Sequence, residues 1–222
     1  MILAIDSSTQ WIGIALYDGS QVIGENTWRT IGRHTVELSP AINRLMKQCG
    51  VQGSDLTLLA VATGPGSFTS LRIGIAVTKG LALALRLPVV GVPSLDVLVA
   101  GLPVQDLPLA AVLQAGRKRL ALTWYKREGQ IWQSSGQQET VDFETFAQSI
   151  QTPLMVCGEL TPEQRQVLAR KRRNVVLASP AQSLRRPSVL AELGWKRWQA
   201  GQVDDVVTLA PIYLHTADGI PE

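Results

Sequence analysis

LLAVATGPGSFTSLRIGIAVTKGLALALRL, residues 58–87, joins an apolar run, a glycine turn and a long apolar segment without interruption. The opening run is continuously apolar, which predicts a strand covered on both faces. Gly64-Pro65-Gly66 ends it, and Ser67 or Thr69 supplies the N-cap of a following helix. That helix carries only Arg72, Lys79 and Arg86 as charges, with Gly74, Ala76 and Gly80 as small residues along it. A helix apolar nearly all round must be buried on every side, by its own domain or by another protein. A strand, a glycine turn and a helix start also form a common place for an anion or a neighbouring backbone. The turn is not a P-loop, because no Gly-Lys-Ser/Thr closes it. Nor is it a dinucleotide fingerprint, since Thr69 stands where the third glycine belongs.

Working upstream, residues 1–6 and 11–17 read as strands, and Asp18-Gly19 turns the chain into a third, 21–28. Residues 35–50 read as a helix, with Leu38, Ile42, Leu45, Met46 and Cys49 at helical spacing; Pro40 predicts a late start or a kink. Downstream, 88–92 is a short strand and Ser94 caps a helix with Asp96 in its first turn. Residues 103–108 read as a linker between Pro103 and Pro108. Strands follow at 109–113, 120–127 and from 131, then a helix from about Asp142. A strand at 154–157, a helix after Pro162, a strand at 175–177, a helix containing 190–198 and a mixed tail at 203–214 complete the chain. Both halves therefore read β-β-β and then alternate helix with strand. This predicts two lobes, 1–103 bearing the candidate partner-binding helices and 104–222, with the tail returning to the first.

Composition narrows the class. At 222 residues and 45% hydrophobic content the chain is globular and long enough for one large or two small domains. Neither a signal peptide nor an uninterrupted membrane-spanning run is apparent. The two cysteines, Cys49 and Cys157, have no metal-ligand spacing and fit a reducing compartment. The expected location is the cytoplasm, with no membrane contact. Net charge is only +3, yet nine Lys/Arg (165, 170–173, 185, 186, 196, 197) stand against Glu192 alone between 165 and 197. Such a stretch holds phosphates or forms a solvated helix face.

Asp6-Ser7-Ser8-Thr9, at the end of the first strand, offers an acid and three hydroxyls in a tight turn. That set can hold Mg²⁺ through water and wrap a phosphate, or simply satisfy its own backbone. Asp6, Ser7, Ser8 and Thr9 are the candidate cofactor-binding residues; no cofactor, catalytic residue or metal ligand is otherwise assigned.

Taken together, ILAIDSST, RHTVELSP, ATGPGSFTSLRIGIAVTKGLALAL and PVVGVPSLDVL resemble the bacterial family of tRNA threonylcarbamoyladenosine biosynthesis proteins, TsaB. The likeness is strong over residues 1–100 and thin beyond, although Ala210-Pro211-Ile212-Tyr213-Leu214 looks like that family's ending. The GPGSFTxLRIG stretch is specific, whereas Asp-Ser-Ser-Thr is shared across the actin-like/Hsp70/sugar kinase (ASKHA) fold. The resemblance implies that α/β fold in two lobes, each β-β-β-α-β-α-β-α, with a degenerate second lobe. It also implies a non-catalytic subunit that binds a TsaD-like catalytic subunit and, in the complex, a TsaE-like ATPase. Transfer of threonylcarbamoyl to adenosine beside the tRNA anticodon would be supported, with tRNA touched indirectly or weakly. The implied partner interface comprises Leu38, Ile42 and Leu45 on one helix and Arg72, Ile73, Val77, Gly80 and Leu81 on the other. A homodimer through the same helices is equally compatible.

Departures from the related patterns reinforce a non-catalytic reading. The His-x-x-x-His metal pair of TsaD falls on Ser94 and Leu98, and the chain's two histidines, His34 and His215, have no ligand set around them. Ser70 replaces a usual glycine, and Gln114-Ala115-Gly116-Arg117 replaces an Asp-Ala-Arg segment. The competing readings are a small-molecule kinase of the same fold, a peptidase and a general RNA-binding module. The first lacks an intact acid set, the second a nucleophile–histidine pair, and the third the aromatic strand signatures of RNA modules.

Overall fold

A computed structural model describes residues 1–116 and 119–212. The chain forms two compact units, Met1–Val97 with Arg185–Ile212, and Leu98–Leu184.

The first unit is built on a five-stranded sheet ordered β3-β2-β1-β4-β5. Its strands are β1 (Ile2–Asp6), β2 (Trp11–Tyr17), β3 (Val22–Arg29), β4 (Leu58–Ala62) and β5 (Val89–Val92). β1 pairs antiparallel with β2 and parallel with β4, placing Ala4 opposite both Ala15 and Ala60. Every residue of β1 and β4 is buried, as uninterrupted apolar runs require. Helices α1 (His34–Gln48) and α2 (Phe68–Leu85) pack together on one face. There Leu38, Ala41, Ile42, Leu45 and Ile75 meet Leu3, Ile5, Ile14, Leu59 and Val61. Each of the Leu, Ile and Val side chains contributes about 1.5–3 kcal/mol by leaving water. Pro40 lies on the exposed side of α1, so the backbone hydrogen bond it removes faces solvent.

In the second unit, β6 (Leu109–Gln114), β7 (Arg119–Glu128), β8 (Ile131–Ser134), β10 (Leu154–Gly158) and β11 (Val175–Leu177) are ordered β11-β10-β6-β7-β8. Read from β8, this is the order of the first sheet, so the duplicated topology expected of an ASKHA-type fold is present. A further short strand, β9 (Glu139–Asp142), pairs with β7 and has no counterpart in the sequence reading. Helices α4 (Phe143–Ser149) and α5 (Pro162–Ala169) cover one face through Phe146, Ala147 and Leu168. Helix α3 (Ser94–Ala100) begins where the cap at Ser94 predicts.

One sequence expectation changes. The boundary at 103/104 does not divide the units, because helix α6 (Pro187–Gln199) belongs to the first. It covers the second face of the first sheet through Leu190 and Ala191 against Ile2, Ala4, Ala15 and Ala60. A Cβ on Gly194 would stand 2.7 Å from that of Ala60. Small residues on both sides bring helix and sheet close together; periodicity reveals the apolar face but not which sheet it covers. After α6 the chain continues along β5, where Asp204 N donates to Val89 O and Gly91 N to Asp204 Oδ2, and Ile212 N donates to Thr63 O.

Helix α2 is covered on one side by its own unit, which leaves its other side for the second of the two covers the sequence allows, another protein. By length and composition alone the helix could cross a membrane, yet it lays Gly74, Ile75, Thr78 and Ala82 into its own unit. The other side is open: Phe68 and Leu83 are exposed large apolar residues, with Ala76 and Gly80 exposed between them and Ala84 just beyond.

Candidate functional site: a closed turn beneath an open helix face

The Asp6–Thr9 turn is buried throughout. Asp6 Oδ1 accepts from Ser8 N at 2.8 Å, and Asp6 Oδ2 accepts from Arg185 Nε at 2.7 Å. Arg185 Nη2 donates to Thr9 Oγ1 at 3.0 Å. Ser8 Oγ lies 2.6 Å from Ser94 Oγ, which also accepts from Gly64 N at 3.1 Å. The carboxylate, hydroxyls and counter-charge are thus engaged with one another.

The glycine turn closes the same space. Ser67 N donates to Ser8 O at 2.7 Å. A Cβ on Gly66 would come 2.1 Å from Ser8 O, and one on Gly74 would come 2.2 Å from Ser7 Oγ. These glycines therefore permit close backbone approach to the turn. Ser67 is the N-cap of α2 and accepts from Ser70 N, while Ser7 Oγ donates to Ser70 O at 2.7 Å. His34, the first residue of α1, is buried and donates from Nε2 to Thr9 O at 2.8 Å.

The other candidate positions have structural work. Ser94 joins the closed turn and Leu98 is buried. Gln114 donates to Glu159 O and to Gln164 Oε1 at 2.9 and 2.8 Å. Among the described residues no group of three His, Cys, Asp or Glu is arranged to hold a metal. Cys157 is fully buried and its thiol is pushed far up by desolvation, which keeps it protonated and inert. Arg117, Tyr213, Leu214 and His215 lie outside the described residues.

The helix positions read as an interface separate into two groups. Leu38, Ile42 and Leu45 are core residues of the first unit and cannot present themselves to a partner; this corrects the sequence reading. Their helical spacing is the same for a core seam and an interface seam, so sequence could not separate them. On α2, Arg72 and Gly80 are exposed, and Arg72 stacks over the Phe68 ring 3.8 Å from its centroid. Ile73, Val77 and Leu81 are half-buried against the core.

The basic stretch is likewise divided. Arg185 is bound to Asp6, Arg186 to Glu25, Arg197 to Gly91 O and Arg165 to Ala178 O. Arg170, Arg172 and Arg173 remain exposed at the end of α5. Arg185 is the residue that sequence reasoning missed. It lies 179 positions from Asp6 and looks like one more surface cation beside Arg186.

These features define a class: an α/β protein with an ASKHA-type duplicated sheet order, in which the turn after the first strand is filled by the chain's own side chains. Among solved structures, a Pseudomonas aeruginosa protein described as similar to the peptidase YeaZ superposes with a TM-score of 0.78 at 24% identity, covering 96% of this chain and 99% of that one. Ethanolamine utilization protein EutJ from Carboxydothermus hydrogenoformans gives 0.52 at 14% identity, covering 86% and 89%. Both likenesses concern the fold. In sequence, the model of the TsaD family, tRNA N6-adenosine threonylcarbamoyltransferase, matches residues 27–175. The tRNA threonylcarbamoyladenosine biosynthesis protein TsaB of Bacillus subtilis is 33% identical over 98% of this chain and 95% of its own. The chain belongs to the TsaB family.

Proposed function

We propose that this chain is a non-catalytic partner subunit in the synthesis of threonylcarbamoyladenosine on tRNA. It binds a TsaD-type catalytic subunit through the exposed face of α2 and the adjoining surface of α1, and a TsaE-type ATPase joins the assembled complex. The site of action is the cytoplasm. The closed turn carries this reading. Asp6 is neutralised by Arg185 and Ser8 is packed under Gly66, an arrangement that opposes binding of Mg²⁺ or phosphate at the turn. What the first unit does present is an apolar helix face, of the kind that another protein covers. Family membership supports TsaD as that protein.

The kinase alternative requires Asp6 to coordinate a metal, and the Arg185 ion pair opposes this. The peptidase alternative requires a base beside a nucleophile, and His34 Nε2 is turned to a backbone carbonyl instead.

The test is co-purification with the TsaD homologue of the same organism, with modified adenosine in tRNA measured by mass spectrometry with and without this chain. A stable complex and a requirement for this chain are expected. ATP hydrolysis or peptide cleavage by the isolated chain would overturn the reading.

A further inference from the structure

We propose that Arg185 is a positioning residue of the partner face, its guanidinium fixing the turn to which the N-terminal ends of both α1 and α2 are hydrogen-bonded. The proposal deepens the partner role above and rests on it for its binding readout.

The planar guanidinium fork holds the Asp6 carboxylate at 2.7 Å and the Thr9 hydroxyl at 3.0 Å at once, which fixes the two ends of the turn relative to each other. The anchors of both helices lie on Thr9 itself and on the two residues between it and Asp6. Thr9 O receives His34 Nε2, the first residue of α1, at 2.8 Å. Ser8 O receives Ser67 N, the N-cap of α2, at 2.7 Å. Ser7 Oγ reaches Ser70 O in the first turn of α2, also at 2.7 Å. Residues 7, 8 and 9 thus set the N-termini of the two helices whose outer sides carry Val36, Phe68 and Leu83. Arg185 opens the segment that returns the chain to the first unit.

Removing the guanidinium would leave a buried carboxylate without its counter-charge. Such a group draws in water or takes up a proton, and either outcome displaces the turn. Lysine restores the charge but not the fork, because a single ammonium cannot reproduce the planar geometry that spans Asp6 and Thr9.

The test compares full-length Arg185→Ala and Arg185→Lys with the unsubstituted chain, at a temperature where each is fully folded by circular dichroism. Affinity for the TsaD-type subunit should fall by about tenfold or more in Arg185→Ala, and less in Arg185→Lys. Added methylguanidinium should restore the alanine variant but not the lysine one. In the free chain, amide exchange at Val36, Glu37, Ser70 and Leu71 should quicken while α6 amides keep their protection. If Arg185→Ala fails to fold, the lysine variant carries both measurements. Unchanged affinity in a folded variant of lowered melting temperature would show that Arg185 only stabilises the core, and overturn the proposal. Exchange that rises evenly across the unit would do the same. If the unsubstituted chain itself binds no TsaD-type subunit, the partner role fails, and the exchange pattern still decides whether Arg185 positions the helices.

Discussion

Gly74 and Leu83 stand on opposite faces of α2. A Cβ on Gly74 would come 2.2 Å from Ser7 Oγ, whereas Leu83 is 70% exposed. One helix therefore does two jobs. Its small-residue face lets the closed turn approach the backbone, and its outer face leaves aliphatic surface in water. The first is tied to the fold and the second is not, so substitutions on the two faces should separate stability from association.

Leu83→Glu is expected to leave unfolding free energy within about 0.5 kcal/mol of the unsubstituted chain, as usual for exposed positions. It should abolish binding to the TsaD-type subunit, or self-association if the partner is a second copy. Ile75→Ala, in the core, should cost about 2–5 kcal/mol instead. Denaturation curves and light scattering on the two variants check this. Retention of wild-type binding by Leu83→Glu would remove the outer face of α2 from the interface. Leu83 is a cleaner probe than Ile73 or Val77, whose half-buried side chains would mix a folding cost with a binding one.

Gly74→Ala should destabilise strongly, because its Cβ collides with a buried hydroxyl. Ser7→Ala removes the colliding oxygen and leaves Ser7 Cβ as the nearest neighbour of that face, at 3.1 Å. The serine change alone forfeits the hydrogen bond to Ser70 O, worth about 1 kcal/mol. The double variant should therefore be more stable than the sum of the single effects allows. A double-mutant cycle by urea unfolding measures this coupling, and strict additivity would mean that the two residues do not meet.

Much of this architecture is legible in the chain because local patterns are strong where burial is complete. ILAID and LLAVA have no polar face and become interior strands; the turn at 64–66 and the cap at Ser67 mark the start of α2. The duplicated order of elements also reads directly, apart from β9, whose four residues lack a distinct pattern. The destination of α6 does not, since an apolar stripe does not name the sheet it covers. Nor does the closed turn: Asp-Ser-Ser-Thr is equally suited to holding a phosphate or to holding itself together. Arg185, far along the sequence, engages the Asp6 carboxylate through an ion pair whose side chains are only 2% and 3% exposed. The basic stretch misleads for the same reason, because charge counts along a sequence do not record which cations already have carboxylate or carbonyl partners.

Asp142 caps α4, and its carboxylate lies below the ordinary value of 3.8 because the Thr145 hydroxyl and then the Thr145 and Glu144 amides bond its ionised form. The unfolded chain therefore binds the proton more readily. The stabilisation it gives is fully present above the unfolded pKa and is lost as pH falls through the folded one. Asp142→Ala should destabilise at neutral pH, and the difference from the unsubstituted chain should vanish in acid below both values. Carboxyl titration by NMR in the folded chain checks the direction. A midpoint at or above 3.8 would contradict the cap.

Arg170, Arg172 and Arg173 are the exposed remainder of the basic stretch, placed where α5 ends. Cations there complement the helix dipole, so their bland role is local. Within an assembled complex, however, three neighbouring guanidinium groups suit the phosphates of tRNA. Replacing all three with glutamate should weaken tRNA binding by the complex while leaving the TsaD-type subunit bound. The slope of log affinity against log salt should become shallower by about one for each phosphate that is no longer neutralised. Measuring affinity at several salt concentrations separates direct binding of phosphate from a remote effect on assembly, because a remote effect lowers affinity without changing the slope. If neither affinity nor slope moves in the triple variant, these arginines only solubilise the end of a helix.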